Sequence, residues 1–347
     1  MQFAFTEDQL ALSEAAREML IETCTTASLR AMLKDERTAD DDRWRTICEM
    51  GLLGMLAPEA VGGMGMGLTD FIGIAEAAGY VALPEPLIEL AGITVPLLAR
   101  LRGEGFTDPG DLLGAAMGGN LVALGHPANR FLGDADRAIA AVLADGDALR
   151  IVEHVDVTLE RQESFDPFRR LFAVQWSPSP ATLVAADWGD TAQRGALLAA
   201  AQLIGLAQRC IDMSVTYAKD RNQFGKPIGS YQAVKHLIAN AQVKVEFARP
   251  VVHAAAAEMP LGTLAAKARV AHAKIAAGAA ADLAARTAVQ VHGAMGMTWE
   301  VDVHFFLKRI MALRGAWGTE AQHRETVIER IFALPTGPDL TFAAELA

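Results

Sequence analysis

The amino-acid sequence predicts a mainly α-helical protein with a small β domain in its middle. Three observations predict this class: an Ala-rich apolar composition, helical periodicity in both outer parts of the chain, and a central run of short apolar segments broken by Asp, Gly and Pro. Alanine loses no side-chain entropy in a helix, and Leu, Glu, Gln and Arg lose little. We therefore expect a helical domain at residues 1–118, a reduced β domain at 119–188 and a helical bundle at 189–347.

Composition limits the classes of function. The 347 residues are 52% hydrophobic, enough for a large core, and the formal net charge of -11 argues against a general nucleic-acid binder. The start carries no basic leader and no apolar run approaches the roughly 20 residues of a membrane span, so we expect a cytoplasmic protein without membrane contact. The three cysteines are scattered without metal-ligand spacing, which favours reduced thiols and no metal site.

Helix-start signals organise the first domain. Thr6 to Gln9 matches a capping box, and a glycine-rich loop at 61–67 separates two pairs of helices. Thr69 is the expected cap of the third helix, which runs through Gly79 before Pro84 and Pro86 interrupt the chain. The predicted helices are Leu10–Leu20, Trp44–Met50, Thr69–Gly79 and Leu87–Leu101.

The β domain is predicted between Leu121 and Ala185. Four short apolar runs stand there between turn residues, and the span has room for five or six strands of ~5 residues each. The runs are Leu121–Leu124, Ala138–Leu143, Leu149–Val152 and Leu171–Val174.

After Thr191 apolar residues recur every three or four positions, which predicts two long antiparallel helices joined by a turn at Phe224 to Ser230. Thr263 to His292 is a third long helix, and Gly293 stands where a left-handed cap residue is expected. Asp302–Leu313 and Thr319–Leu334 complete a bundle of four or five helices, the last stopped by Pro335.

Two segments of the predicted bundle carry the most information. The first is Arg221-Asn-Gln-Phe224-Gly225-Lys-Pro227 followed by Gln232, and the second is Gln290-Val-His-Gly293. In order and setting they resemble flavin-contacting segments of the acyl-CoA dehydrogenase family. Gly51 to Glu59 has a weaker family likeness. The resemblance spans essentially the whole chain, and it implies FAD as cofactor, an acyl-CoA substrate and an electron-transfer flavoprotein as electron acceptor.

The resemblance also implies cofactor-binding residues. In the family, FAD lies between subunits and the neighbour grips its pyrophosphate half, for which a guanidinium offers a fixed fork of donors. Alternative readings stay open: Arg221 as a surface charge at a helix end, Phe224 as core packing, Gln290 as an ordinary helix residue and Gly293 as a plain cap. The residues matched to the cofactor are Arg221, Phe224, Gly225, Gln290, Gly293 and Thr319.

Several family features are missing. The Thr-Glu-Pro, Gly-Ser-Asp and Trp-Ile-Thr segments that hold the flavin ring and thioester in the family have no counterpart between Leu121 and Ala185. The family's pair of adjacent glycines reads Gly293-Ala294.

The catalytic base is missing as well. Removal of the α proton needs a carboxylate within hydrogen-bond reach. The family's Tyr-Glu-Gly-Thr tract here reads Ala316-Trp317-Gly318-Thr319, and its second base position reads Gln193-Arg194. We expect Arg194 to form a structural or ligand-orienting salt bridge.

Other titratable residues stand near the motifs. Glu320 belongs to a predicted capping box, Thr319 to Gln322, and Glu300 matches a structural glutamate, so neither is the expected base. His292 and His323 are more simply packed or solvated. We predict no catalytic residue in this chain.

These features resemble the shorter, base-lacking subunit of actinobacterial α2β2 acyl-CoA dehydrogenases, which act on the CoA thioesters of sterol side chains and similar bulky acids. The resemblance implies a homologous partner chain that supplies the base. Two alternatives remain: a catalytically silent homomeric flavin or acyl-CoA scaffold that forms a self-dimer, and an active homomeric enzyme that uses Glu320 or Glu300.

Overall fold

A computed structural model describes residues 6–106, 110–146, 148–178, 183–184 and 187–333 of the chain. Helices come first, small sheets follow, and long helices end the described chain. This order confirms the predicted fold class, mainly α with a small β layer. One apolar core is continuous through the helices and sheets, so the three parts pack directly against one another.

The first part of the chain is helical, and one of its two predicted helix caps is confirmed. The Thr6 capping box is confirmed, since Thr6 and Gln9 exchange side chain to backbone hydrogen bonds of 2.9 and 3.2 Å. The predicted cap at Thr69 is wrong: the helix starts at Leu68, and the Asp70 carboxylate accepts from the Gly67 N–H at 2.7 Å. A π-helical segment, Leu90–Thr94, interrupts the fourth predicted helix. The helices are α1 Glu7–Thr23, α2 Thr26–Lys34, α3 Asp41–Glu49, α4 Leu68–Tyr80, α5 Leu87–Glu89, α6 Val95–Gly103 and α7 Leu112–Met117.

The β layer consists of two small sheets. One has the order β1-β3-β4-β7, with β1 parallel to β3 and the other pairs antiparallel, and the second is the antiparallel sheet β2-β6-β5. Apolar residues alternate or run continuously toward the helices, as in Val142 and Leu143 of β3, which are buried. The strands are β1 Leu121–Gly125, β2 Leu132–Gly133, β3 Ala138–Asp145, β4 Ala148–Glu153, β5 Val157–Gln162, β6 Leu171–Trp176 and β7 Leu183–Val184.

Long helices form the bundle, and α8 is its central member. A hairpin of β8 Asn222–Gln223 and β9 Lys226–Pro227 lies in the predicted turn after α8. The helix α8 is long and apolar enough to cross a membrane by length and composition alone. However, 78% of its 18-residue apolar window is buried within the protein. The predicted stop at Pro335 lies outside the described residues. The helices are α8 Thr191–Asp220, α9 Gln232–Glu258, α10 Leu264–His292, α11 Val303–Gly315 and α12 Glu320–Ala333.

Glycines let α4 and α8 approach at backbone distance. A Cβ at Gly205 of α8 would lie 1.9 Å from the Glu76 carbonyl oxygen, and one at Gly79 of α4 would lie 2.1 Å from the Gln202 carbonyl oxygen. Both obstacles are backbone atoms, which cannot turn aside as a side-chain end can. This crossing therefore fixes the first helical layer against the bundle.

We expect Gly205→Ala to lower the free energy of unfolding by about 3 kcal/mol, because overpacking outweighs the gain in helix propensity. Gly278→Ala on α10 is the matched control, since its Cβ would meet only the Arg314 side chain at 3.8 Å. The control should be neutral or stabilising. Urea unfolding of the two variants measures the difference, and equal stabilities would refute this packing argument.

Candidate functional site

The two motif segments meet at one end of the bundle. Tyr217, in the last turn of α8, stacks on His292 at the end of α10 with ring centroids 4.2 Å apart. The Tyr217 hydroxyl also lies 4.0 Å from the Met295 sulfur. The turn that holds Arg221 to Gly225 thus stands beside the segment that holds Gln290 and Gly293. We call Arg221, Phe224, Gly225, Gln290 and Gly293 the bundle-end cluster.

The bundle-end cluster is open to solvent, and its backbone is unusual. Phe224 and Gly225 are the central residues of the two-residue hairpin, with φ of +53° and +82°. Both angles are positive, as in a type I′ turn, a position that favours Asn-Gly. A phenylalanine there is strained, and its side chain is 92% exposed. Strain held on an exposed aromatic points to a contact outside this chain.

The glycines of the cluster keep space free. Gly293 has φ +62° and ψ -143°, a region reserved essentially for glycine and different from the predicted left-handed helical cap. A Cβ at Gly225 or Gly293 would meet nothing within 4 Å, so a ligand or another subunit can approach the backbone there. The side chains of Arg221 and Gln290 are exposed beside them.

We expect Phe224→Asn to raise the free energy of unfolding by on the order of 1 kcal/mol, because Asn tolerates positive φ and an exposed ring contributes little packing. Thermal denaturation measures this. Val243→Asn, an exposed apolar side chain on α9, is the control and should show no gain. A loss of stability in Phe224→Asn would show that the ring packs within its own chain.

Thr319 lies apart from the bundle-end cluster. It caps α12, exchanging hydrogen bonds with Gln322 at 2.8 and 3.3 Å, which confirms the predicted capping box. It lines a groove with Lys274 of α10 and His323. Lys274 is 16 residues before Gln290, or ~24 Å along α10. Thr319 cannot share one phosphate site with Arg221.

A partly open cavity lies at the other end of α8. It has a volume of about 120 Å³ and is bounded by the first helices, the β layer and the bundle. Gly195, Ala199 and Gln202 of α8 line it, and Arg221 follows Gln202 by 19 residues, or ~29 Å along α8. The bundle-end cluster therefore cannot contact a ligand in this chain's own cavity.

Trp317 fills one side of the cavity. Its ring packs so closely on Gly195 that a Cβ there would lie 2.2 Å from the indole Cδ2. Its backbone N–H donates to Asn129 Oδ1 at 2.8 Å, and its ring lies 5.5 Å from that of His126. Burial lowers the pKa of His126 to about 4, so this histidine packs as a neutral ring at pH 7. The tract that carries the base in the predicted family thus carries a fixed indole here.

A buried lysine stabilises the turn that carries Trp317. The Lys274 ammonium donates to the carbonyls of Leu313 and Ala316 at 2.7 and 2.8 Å. Burial, with Arg314 nearby, lowers the pKa of Lys274 to about 7. These carbonyls end α11, so the lysine satisfies groups that the helix leaves free.

The other residues that the sequence placed at or near the family's base positions bring no carboxylate into the cavity. Gln193 is a neutral amide, and Arg194 forms a salt bridge with Asp190 at 2.9 Å, as predicted. Glu320 is exposed and pairs with Arg324 at 2.6 Å, and Glu300 is exposed outside the cavity. His292 packs on Tyr217 and His323 lines the groove by Lys274, so neither histidine lines the cavity.

The chain fits one part of a flavin dinucleotide and not the other. The bundle-end cluster offers an exposed guanidinium, an exposed aromatic ring and open backbone, a set suited to a phosphate and a nucleotide. The cavity does not fit a flavin ring, because a cavity of ~150 Å³ accommodates only a single benzene ring and this one measures about 120 Å³.

Sequence reasoning missed charged residues that line the cavity: Glu89, Asp134 and Arg169. They belong to three segments far apart in the chain, and each stands outside any motif. Asp134 has φ +49°, in the left-handed region. Burial, with Glu89 and Asp136 adding negative charge, raises the pKa of Asp134 to about 7, although Arg137 and Arg170 oppose the shift. A positive φ at Asp is not readable from sequence, so no signal marked this residue.

The raised pKa of Asp134 makes stability depend on pH. Between pH 4 and 7 the unfolded chain loses a proton that the native chain keeps, so native stability falls as pH rises through this window. Asp134→Asn removes that loss. We expect this variant to gain on the order of 1–2 kcal/mol at pH 8 and little at pH 4, allowing for solvent screening. Urea unfolding at both pH values tests this, with exposed Asp156→Asn as control; equal gains at both values would contradict it.

Comparison with known proteins agrees with this architecture. Residues 6–100 match the acyl-CoA dehydrogenase N-terminal domain, and residues 189–332 match the acyl-CoA dehydrogenase C-terminal domain. The middle β layer lies between the two matched ranges.

Individual relatives extend over most of the chain. The acyl-CoA dehydrogenase IpdE2 of Mycolicibacterium smegmatis is 36% identical over 307 residues, covering 88% of this chain and 92% of its own. Among solved structures, a chain of the ChsE4-ChsE5 complex from Mycobacterium tuberculosis has a TM-score of 0.83 at 23% identity, covering 97% of this chain and 100% of that one. A variant of the Tcur3481-Tcur3483 steroid ACAD has a TM-score of 0.80 at 23% identity, covering 94% of this chain and 98% of that one.

Proposed function

The chain belongs to the acyl-CoA dehydrogenase family of FAD-dependent oxidoreductases, and on that premise we propose that it is one subunit of a heteromeric acyl-CoA dehydrogenase. In this proposal a homologous partner chain supplies the catalytic base and the flavin cleft. This chain completes the FAD site through its bundle-end cluster. The observation that carries the proposal is the separation of ~29 Å along α8 between that cluster and the nearest α8 residue that lines the chain's own, Trp317-filled cavity.

The bundle-end cluster has a binding role in this mechanism. The Arg221 guanidinium would donate to pyrophosphate oxygens, and Phe224 would pack on the nucleotide that the partner holds. Gly225 and Gly293 let the backbone approach, and Gln290 contributes a polar side chain beside them. Bound FAD would supply the hydride acceptor for the β hydrogen of the acyl thioester. Each residue named here acts in binding and none receives a proton.

The Trp317 turn has a different role, because it closes the chain's own cleft. A buried indole against Gly195 excludes water and the thioester from the place where the family presents its base. With Gln193 at the second position, the chain has no proton acceptor at either family base position. In this proposal the partner's carboxylate removes the α proton, since Glu89 and Asp134, which line this chain's own cavity, stand at neither family base position.

Related proteins support the choice of partner and substrate class. One structural relative is a complex of two named chains, ChsE4 and ChsE5, and another is described as a steroid ACAD. By analogy we propose an α2β2 assembly with a homologous chain and a bulky acyl-CoA, such as the thioester of a sterol side chain. An electron-transfer flavoprotein as acceptor and a cytoplasmic location are part of the same proposal.

Reconstitution tests the proposal. The chain is purified alone and with a homologous acyl-CoA dehydrogenase chain from the same organism, and oxidation of acyl-CoA substrates is followed with an artificial electron acceptor. We expect turnover only in the mixture, and we expect its loss when the partner's base glutamate is changed to Gln. Turnover by the lone chain at the rate of the mixture would contradict the division of labour.

The two alternatives give different results in the same experiment. A homomeric scaffold would bind flavin alone without turnover. An active homomer would turn over alone and lose activity in Glu320→Gln or Glu300→Gln, although both carboxylates lie outside the cavity.

A further inference from the structure

The cavity beside Trp317 contains charged groups that the proposed function does not use. Glu89, the last residue of α5, is exposed, whereas Asp134 after β2 and Arg169 before β6 are half-buried. All three line the same space of about 120 Å³.

The remaining charged residues that line the cavity already have partners. Glu85 forms a bidentate pair with Arg43, with both hydrogen bonds at 2.8 Å. Arg170 pairs with Asp136 and Arg309 with Asp166. By contrast, the side chains of Glu89, Asp134 and Arg169 form no hydrogen bond or salt bridge with any residue that the structure describes, although Arg169 lies near enough to both carboxylates to be attracted to them. Withdrawing unpaired charges from water costs free energy, which a ligand with matching groups would recover.

The position of Asp134 is fixed rather than adaptable. Its N–H donates to the Arg170 carbonyl at 2.9 Å, and its φ of +49° is one that few non-glycine residues adopt. The backbone that carries the carboxyl is therefore held in one place. Apolar side chains also line the cavity, with Ile88, Ile93 and Phe168 among them.

We propose that this cavity is a binding site for a small organic acid that carries a hydrogen-bond donor at its far end, with its carboxylate on Arg169 and its donor on Asp134 and Glu89. A short aliphatic spacer matches the apolar walls, and four-carbon acids match the volume. A hydroxyl and an ammonium group share this donor chemistry. The site is separate from the bundle-end cluster and requires no partner chain.

Ligand-detected NMR on the full-length lone chain tests the proposal with four probes: 4-aminobutyrate, 4-hydroxybutyrate, pentanoate, which lacks the donor, and butylamine, which lacks the carboxylate. We expect the first two to bind with Kd on the order of 1 mM, as suits ligands of about seven heavy atoms. The other two should bind at least about tenfold more weakly. The comparison of the amino and hydroxy acids identifies which donor the site prefers.

Two variants locate the binding. Arg169→Gln should weaken both acids by about tenfold or more, and Asp134→Asn should weaken 4-aminobutyrate more than 4-hydroxybutyrate. Arg45→Gln, an exposed arginine far from the cavity, should change nothing. Circular dichroism checks that each variant is folded. Failure of both acids to bind, or unchanged binding in Arg169→Gln, would overturn the proposal, and neither result bears on the turnover of the reconstituted enzyme.

Discussion

Arg221→Gln weakens retention of FAD by the assembled enzyme by about 10- to 100-fold. The expected loss follows from one charge-assisted fork of hydrogen bonds, worth about 1.5–3 kcal/mol to an ionised phosphate. FAD retention by Arg221→Lys should lie between that of the unchanged enzyme and that of Arg221→Gln, because an ammonium keeps the charge but not the planar pair of donors. Since Arg221 is exposed and caps α8 only with its backbone N–H, neither substitution should change the melting temperature of the lone chain.

Equilibrium dialysis of the reconstituted complex measures this effect through flavin absorbance. Lys219→Gln is the matched control, since Lys219 is exposed in the last turn of α8, two residues before the cluster. It should retain FAD within a factor of about two to three, as expected for a screened surface charge. Equal losses in Arg221→Gln and Lys219→Gln would mean that the bundle end attracts the cofactor only by general charge.

Arg309→Met lowers the free energy of unfolding by about 3–5 kcal/mol, the largest stability effect we expect in this chain. The Arg309 guanidinium, on α11, pairs with the buried Asp166 of the β layer. It also donates to the Leu83 carbonyl of the first helical part at 2.8 Å. One side chain thus ties the three parts of the fold, and its removal leaves a buried carboxylate and a buried carbonyl without their partner.

The same substitution on the same helix provides the control. Arg314 pairs with Asp282 at 2.6 Å, but both side chains are about a third exposed, so Arg314→Met should cost less than about 1 kcal/mol. Urea unfolding followed by tryptophan fluorescence measures both variants. A cost for Arg309→Met as small as that for Arg314→Met would show that the parts of the fold are held by apolar packing alone.

The sequence predicts the helical parts of the fold well because their signals are local. Apolar spacing of three and four residues marks α8 and α10, and the capping boxes at Thr6 and Thr319 mark helix starts. The wrong cap at Thr69 has a local cause too, since Asp70 reaches back to Gly67 and makes a side-chain cap unnecessary. The π-helical segment at Leu90 left no readable pattern, because it depends on packing against α8.

The candidate site also contains some residues that local sequence signals predict and others that only the tertiary fold brings together. The bundle-end cluster was predictable because its residues stand in two contiguous motifs. The cavity residues Glu89, Asp134 and Arg169 were not, because only the tertiary fold brings three isolated charges together. The role of Trp317 as filler needed coordinates as well, since its contact with Gly195 joins residues more than a hundred positions apart.

The stoichiometry of flavin in the lone chain tests the central claim most directly. The chain is purified alone and as a 1:1 complex with its homologous partner, and bound FAD per chain is measured from flavin absorbance against protein concentration. We predict essentially no FAD in the lone chain and about one FAD per pair of chains in the complex. A lone chain that holds one FAD and oxidises an acyl-CoA would contradict the claim.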